Sequence, residues 1–198
     1  MSDLRKVLTL VMAVAMLTVN ADPGEPGAWI EGESTALFKA LNSPAETDAL
    51  TARLETTVDF EAISRGVMGK HRDALSDAQQ TEFRHVFQSS LTSLLRDGLG
   101  SLGDYELDVA KARVPRPGRA QVPVTVTSSD GVYEIQFSLA ASDDQWRVRN
   151  MIVNGVNLGL TYRNQFAELM RTHDGDVAAV IAGWTESVAD SSEIKAGS

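Results

Sequence analysis

The sequence predicts an α+β fold in which an antiparallel four-stranded curved sheet is wrapped by several helices. Three observations carry that expectation. Apolar residues recur at spacings of three and four from Leu37 to Leu95, the period of helices with one buried face. From Tyr105 to Val153 they recur largely at every second position, the period of a strand, and turn residues separate the runs. From Tyr162 to Trp184 the helical spacing returns. Strands joined by short turns make a meander whose apolar face must be covered, and the flanking helices are the available cover.

The chain ends set the boundaries of that fold. Arg5 and Lys6 form a short basic segment, Val7 to Val19 is apolar apart from Thr9 and Thr18, and Val19-Asn20-Ala21 resembles a peptidase site. Residues 1–21 are therefore expected to be a cleaved signal peptide, with an uncleaved anchor as the alternative. The apolar run is about 13 residues, short of the roughly 20 a membrane span needs. Residues 22–190 are expected to form a single domain and residues 191–198 a disordered tail. Cysteine is absent, which excludes disulfides, thiolate nucleophiles, Cys-ligated zinc and iron–sulfur clusters, and a lipidated cysteine after the signal. Removing Asp3, Arg5 and Lys6 with the signal takes the formal charge from −9 to −10. Such acidity argues against nucleic acid and against tight nonspecific residence on anionic membranes.

Each element has a local reason. Residues 22–30, Asp-Pro-Gly-Glu-Pro-Gly-Ala-Trp-Ile, are expected to be an irregular lead-in, and Leu37, Ala40 and Leu41 begin the first amphipathic segment. Ser43-Pro44-Ala45-Glu46 is a helix start: Ser caps, Pro fits the first turn, and Glu follows three after the cap. Asp59 caps a short helix with Phe60, Ile63 and Val67 on one face, stopped at Gly69. Ser76-Asp77-Ala78-Gln79 is a capping box, and behind it Phe83, Val86, Phe87, Leu91, Leu94 and Leu95 mark the strongest helix, ending in a glycine-rich stretch, Gly98 to Gly103. The strands follow: Tyr105, Leu107 and Val109; Val122, Val124 and Val126; a tight turn at Asp130-Gly131; then Tyr133, Ile135, Phe137 and Leu139. Residues 142–145 turn the chain into one long strand led by Trp146, which turns at Gly155 and Gly159 into a helix with Tyr162, Phe166, Leu169 and Met170 on a face. Asp174 is expected to cap a last helix bearing Val177, Val180, Ile181 and Trp184.

Few of the chemistry-bearing residues form a pattern. Gly98-Leu-Gly100-Ser-Leu-Gly103 satisfies the letter of a dinucleotide motif, but a helix precedes it and a strand follows, the reverse of what cradling a pyrophosphate requires. His71, His85 and His173 share no ligand spacing, and no carboxylate pair is singled out as general acid and base. No catalytic residue and no metal ligand is assigned. For an enzyme, Asp108, His71 and Tyr133 are the available acid–base groups. Arg113, Arg116 and Arg119 stand out in an acidic protein, either as a solvated hairpin tip or as a docking site for a partner or a lipid head group. In most domains a large apolar set of this kind on helix and sheet is simply the core, and the residues alone do not distinguish a filled core from a cavity.

A family resemblance bears on that choice. Val58-Asp-Phe-Glu-Ala-Ile-Ser-Arg-Gly-Val-Met-Gly-Lys70 resembles the segment that opens the domain of the MlaC family. These are periplasmic phospholipid-binding proteins of the pathway that maintains outer-membrane lipid asymmetry, also met in toluene-tolerance operons. Phe83 to Phe87 is similar to their Phe-containing helix. Trp146-Arg-Val to Gly155-Val156, followed by Tyr162-Arg163-Asn-Gln165-Phe166, is similar to their Trp-led strand and the helix after it. The sequence departs from the family at Asn150, where the family usually has Asp, at Asn154, where it has Glu, and at Asn157, where it has Ser, and the helix at Leu94-Leu95 lacks the tyrosine expected nearby.

The resemblance implies a fold that encloses an apolar lipid pocket and a protein that is not an enzyme. Its lining is expected from the helices at Val67, Phe83, Phe87, Leu91, Leu94 and Leu95. The strands are expected to add Val124, Ile135, Phe137, Leu139, Trp146, Val148 and Ile152, and the following helix Tyr162 and Phe166. It implies a periplasmic carrier of phospholipid acyl chains between inner and outer membranes, with no cofactor. The implied partners are an inner-membrane lipid transporter complex and an outer-membrane lipoprotein complex. A hopanoid or other hydrophobic ligand is the alternative cargo. An interaction module with a solid core and a small-molecule enzyme are the other readings.

Overall fold

The protein is described by a computed structural model covering residues 24–41, 46–101, 105–129 and 131–190. The expected signal peptide at 1–21, the tail at 191–198 and the Ser43-Pro44 helix start lie outside the described residues, as do Gly103 and Asp130. Four helices come first: α1 (Pro26–Leu41), α2 (Glu46–Thr57), α3 (Phe60–Met68) with a 3-10 turn at Gly69–Ala74, and α4 (Asp77–Ser101). A sheet follows: β1 (Tyr105–Val109), β2 (Arg113–Arg116), β3 (Arg119–Ser128), β4 (Gly131–Ser142), β5 (Gln145–Val153) and β6 (Val156–Asn157). Helices α5 (Leu158–Thr172) and α6 (Val177–Asp190) close the chain. No helix among the described residues is long and apolar enough to cross a membrane.

The α+β class and the antiparallel order stand, with six strands in place of four. The order is β1-β3-β4-β5-β6, with β2 paired to β3 beyond β1. The two added strands are four and two residues long. A pairing that short, set by a neighbouring strand, carries no alternation of its own to read.

Local chemistry explains most boundaries. Asp59 caps α3 by accepting the Ala62 N–H at 2.9 Å. Ser76 and Gln79 form the reciprocal box that starts α4: Ser76 N–H donates to Gln79 Oε1 at 2.9 Å and Gln79 N–H to Ser76 Oγ at 3.3 Å. Asp143 and Asp144, at φ 49° and 62°, make the two-residue turn between β4 and β5, and Asn154-Gly155, at 48° and 81°, makes the one between β5 and β6.

Four boundaries differ from expectation. Residues 26–30 are helical, because Glu25 Oε2 accepts the Ala28 N–H at 2.6 Å and Pro26 occupies the first turn, where its missing donor costs nothing. Helix α4 continues through Gly98 and Gly100 to Ser101. Gly159 lies inside α5, and its role is close approach: a Cβ there would stand 2.6 Å from Asn150 Oδ1. The last helix is capped by Asp176, whose Oδ1 accepts from Ala178 and Ala179 N–H at 3.0 and 3.2 Å, while Asp174 sits in the left-handed turn before it.

Candidate functional site

The apolar residues fall into two clusters. The helical core holds Val67, Phe83, Phe87, Tyr162 and Phe166 with Trp184 at its centre, and Leu91, Leu94 and Leu95 pack half-buried against it. Its rings meet edge to face: Phe83 lies 4.8 Å from Phe166 and 5.0 Å from Trp184, and Phe87 lies 5.8 Å from Tyr162. Burial among these rings pushes the Tyr162 phenol up to about 12.

The sheet core occupies one face. Val124, Leu139 and Trp146 are buried, and Ile135, Phe137 and Val148 are half-buried beside them, as is Tyr133. Helix α1 serves both cores, with Trp29 and Ile30 in the sheet core and Leu37 in the helical one. The Trp146 indole donates to the Gly24 carbonyl at 2.9 Å, tying the start of α1 to β5.

Ile152 joins neither cluster. Leu139 pairs with Val148, but its neighbour Ser138 pairs with Asn150, so Arg149 is an extra residue in β5. Parity reverses beyond it. Met151 and Val153 pair with Phe137 and Ile135 on the apolar face, and Ile152, opposite Gln136, turns to the polar face. Of the fifteen residues expected to line a pocket, the structure thus places eight in or against the helical core and six in the sheet core.

The cores adjoin at a polar joint. Val58, on the helical side, forms a bridge with Val148 on the sheet side, and the Asp59 N–H donates to the Val148 carbonyl at 3.0 Å. The Asp59 carboxylate, already the α3 cap, accepts from the bulged Arg149 at 2.8 Å. A cleft of about 500 Å³ opens beside this pair, between α2, α3, α4 and β5. Its charged lining is mixed, with Glu55, Asp59, Glu61 and Asp143 against Arg65, Arg84, Arg147 and Arg149. A second groove of about 270 Å³, between α3 and the start of α5, is lined by Ile63, Val67 and Leu160 with Arg149 and Arg163.

Asn150 and Asn157 belong to this joint region, and Asn154 lies in the β5–β6 turn. Asn157 Oδ1 caps α5 by accepting from Leu160 N–H at 3.1 Å and also accepts from Asn150 Nδ2 at 3.1 Å; Asn150 Oδ1 accepts from Gly159 N–H at 3.0 Å. Asn154 takes the left-handed turn position and its Oδ1 accepts from Glu134 N–H at 2.8 Å. Asn150 and Asn157 hold β5, β6 and α5 together, and Asn154 ties the β5–β6 turn to β4. Sequence reasoning missed Arg149, because nothing in a run of alternating residues marks where a bulge falls.

The acid–base candidates do not converge. Asp108 is exposed on the polar face of β1, Tyr133 lies in the sheet core, and His71 stands in the 3-10 turn with its ring 6.3 Å from Phe166. Among the described residues no three His, Asp or Glu side chains gather as a metal site.

An antiparallel sheet with one apolar face, joined to a separate aromatic helical core, defines a class of α+β proteins whose candidate site is made of apolar side chains. Residues 34–186 match the family model described as MlaC protein, and the chain belongs to the MlaC family. It is 32% identical over 196 residues to the toluene tolerance protein ttg2D of Pseudomonas putida, covering 93% of this chain and 90% of that one. Its fold is similar to the solved structure of a phospholipid-binding protein from Ralstonia solanacearum in complex with a phospholipid. The TM-score is 0.73 at 18% identity, over 86% of this chain and 98% of the other.

Proposed function

We propose that this protein is a periplasmic carrier that holds the acyl chains of a phospholipid between its two apolar cores and moves the lipid between the inner and outer membranes. The observation that carries the reading is the contrast in burial. The helical core is closed around its aromatic rings, while large apolar side chains at the margins of both cores, Leu91, Leu94 and Leu95 on one and Tyr133, Ile135 and Phe137 on the other, are only half-buried. Membership of the MlaC family and the phospholipid in the Ralstonia relative support the same reading.

Energetics suit a carrier. Each buried methylene contributes about 0.8 kcal/mol, so two acyl chains favour burial by on the order of 20 kcal/mol. Leaving a bilayer costs a similar amount, so exchange is nearly neutral and needs no cofactor or nucleotide at this protein. Extraction and release are then the slow steps, and docking partners lower them: a transporter complex in the inner membrane and a lipoprotein complex in the outer one. No catalytic step is assigned, since Asp108, His71 and Tyr133 stand apart.

Native mass spectrometry of protein purified without detergent from a bacterial periplasm, followed by solvent extraction, tests the reading. Phospholipid at about one per chain is the expected result, and a hopanoid or other polycycle would redirect the cargo. A bare protein that also takes up no lipid from vesicles would sink the carrier reading and leave a solid-core interaction module.

A further inference from the structure

The polar face of the sheet carries a segregated charge pattern. Residues directly opposite one another in an antiparallel pair project to the same face. The register Arg116↔Arg119, Arg119↔Ala140 and Ala140↔Arg147 therefore sets three arginines in one row across β2, β3 and β5. Arg113, opposite Gln121, stands beside that row on the same face. The acids of the face gather at its other end: Glu106 opposite Thr127, and Asp108 and Glu134 both opposite Thr125. Thr125 and Arg119 are separated by about 20 Å of strand. Asp143 and Asp144 lie in the turn after β4, and Asp143 and Glu55 line the mixed-charge cleft with Arg147, so the unopposed end of the row is Arg116 and Arg119 with Arg113 beside them.

These arginines are spare. Arg53, Arg65, Arg72, Arg149 and Arg171 each form an ion pair, whereas among the described residues Arg113, Arg116 and Arg119 form none. Arg147 has only a long contact, 3.4 Å, to the Glu55 carbonyl. Strand β2 is exposed along its whole length, with Val114 54% exposed between the arginines and Pro115 and Pro117 exposed beside it.

A chain of formal charge −9 is repelled as a whole by an anionic bilayer, so contact requires a face where the sign is locally reversed. Guanidinium forks match phosphate oxygens in pairs. An exposed apolar strand set among cations suits the headgroup boundary, where charges meet lipid phosphates and apolar side chains enter the acyl margin. An acidic polypeptide would match the arginines alone and leave Val114 and the prolines unused. We propose that β2 and the arginine row form the face with which this protein docks transiently on the phosphate headgroups of an anionic bilayer. The purpose of that docking, loading or delivery, rests on the carrier reading; the charge geometry does not.

Flotation of the purified protein with vesicles of phosphatidylglycerol and of phosphatidylcholine, at low salt and at about 0.5 M salt where charges are screened within a few Å, tests the proposal. Binding to phosphatidylglycerol about tenfold or more above phosphatidylcholine, lost in high salt, is expected. A basic side chain near an anionic surface is worth about fivefold, so Arg113→Glu with Arg116→Glu should lower that binding by tenfold or more. Lys39→Glu with Lys70→Glu, an equal change of net charge elsewhere, should leave it within about threefold of wild type. If the reversal variant does not fold, Arg113→Gln with Arg116→Gln replaces it. Lipid retained per chain, measured by extraction, should be the same in all, which separates failure of the docking face from failure of the cargo site. Equal binding to both vesicles, an unaffected arginine variant, or a control that loses as much would overturn the proposal. So would capture of polyglutamate in preference to phosphatidylglycerol, which would assign the face to an acidic protein.

Discussion

In the helical core, Phe83, Phe87, Phe166 and Trp184 are each 0% exposed and packed ring on ring, with Phe83 edge to face on Phe166 and Trp184, whereas Tyr133, Ile135 and Phe137 on the sheet keep part of their surface open. Both sets came from the same kind of apolar periodicity. Their surroundings differ because the first set lies in a core to which five helices, α2, α3, α4, α5 and α6, contribute buried residues, while the second lines one face of a sheet whose cover includes the start of α1. Rings enclosed on every side contribute stability and resist change. Apolar side chains left half-covered can gain burial from something that is not part of the chain.

Truncation in the two regions sharpens that contrast most. Phe83→Ala should cost about 3–5 kcal/mol in denaturant unfolding, the cost of a cavity that cannot collapse. Phe137→Ala should cost about half of that or less while lowering retained lipid, and Phe137→Asp or Leu91→Asp should abolish retention in a folded protein. A Phe137 variant as destabilised as Phe83→Ala, with undiminished lipid, would erase the distinction between the cores.

Alkaline unfolding probes the closed core most strongly, with a further contribution of the same sign from Tyr105 in the sheet core, whose phenol burial also pushes up. The Tyr162 phenol titrates near 12 in the fold and near 10 when unfolded, because burial penalises its charged form. Between those values the unfolded chain has released a proton that the folded one keeps, so stability is full below pH 10 and falls as pH rises towards 12. The loss is about 3 kcal/mol. Tyr162→Phe should remove most of that slope in denaturant titrations, leaving only the part due to Tyr105, and an undiminished slope would place the titration elsewhere.

The joint between the cores gives a smaller effect with a change of sign. Gly159→Ala should cost about 1–2 kcal/mol by displacing the Asn150 side chain and its bonds to Gly159 and Asn157. In an Asn150→Ala background the same change should be neutral or slightly stabilising, since alanine is the better helix former. A double-mutant cycle showing additivity would refute the contact. Ser76→Ala should cost about 1 kcal/mol, the loss of one reciprocal cap at the start of α4, with lipid retention unchanged.

How legible each part was depends on the range of the interaction that decides it. The Asp59 cap, the Ser76–Gln79 box and the turn at residues 142–145 were readable because each is closed by residues three or fewer apart. The start of α1 was misread although its cap, Glu25 to Ala28, is local, because Pro-Gly-rich composition suggested irregular chain; what holds the segment on the sheet is Trp146, more than a hundred residues away. Ile152 was expected beside Val148 from strict alternation, and one bulged residue moved it to the opposite face. Gly159 was expected as a turn, and its absent side chain instead makes room for Asn150. The resemblance to the MlaC family was legible in three blocks, Val58 to Lys70, Phe83 to Phe87 and Trp146 to Phe166, and the match over residues 34–186 spans all three.

By itself the sequence determined the α+β class, the caps of α3 and α4, the apolar set and the family, because periodicity and capping are properties of neighbouring residues. Only the tertiary structure decided that the apolar set divides into a closed core and a half-open one. It also decided that Arg149 reverses the face of a strand and that three arginines from three strands share one row. Those outcomes depend on strand register and on which helix covers which face, and no local stretch of the chain encodes either.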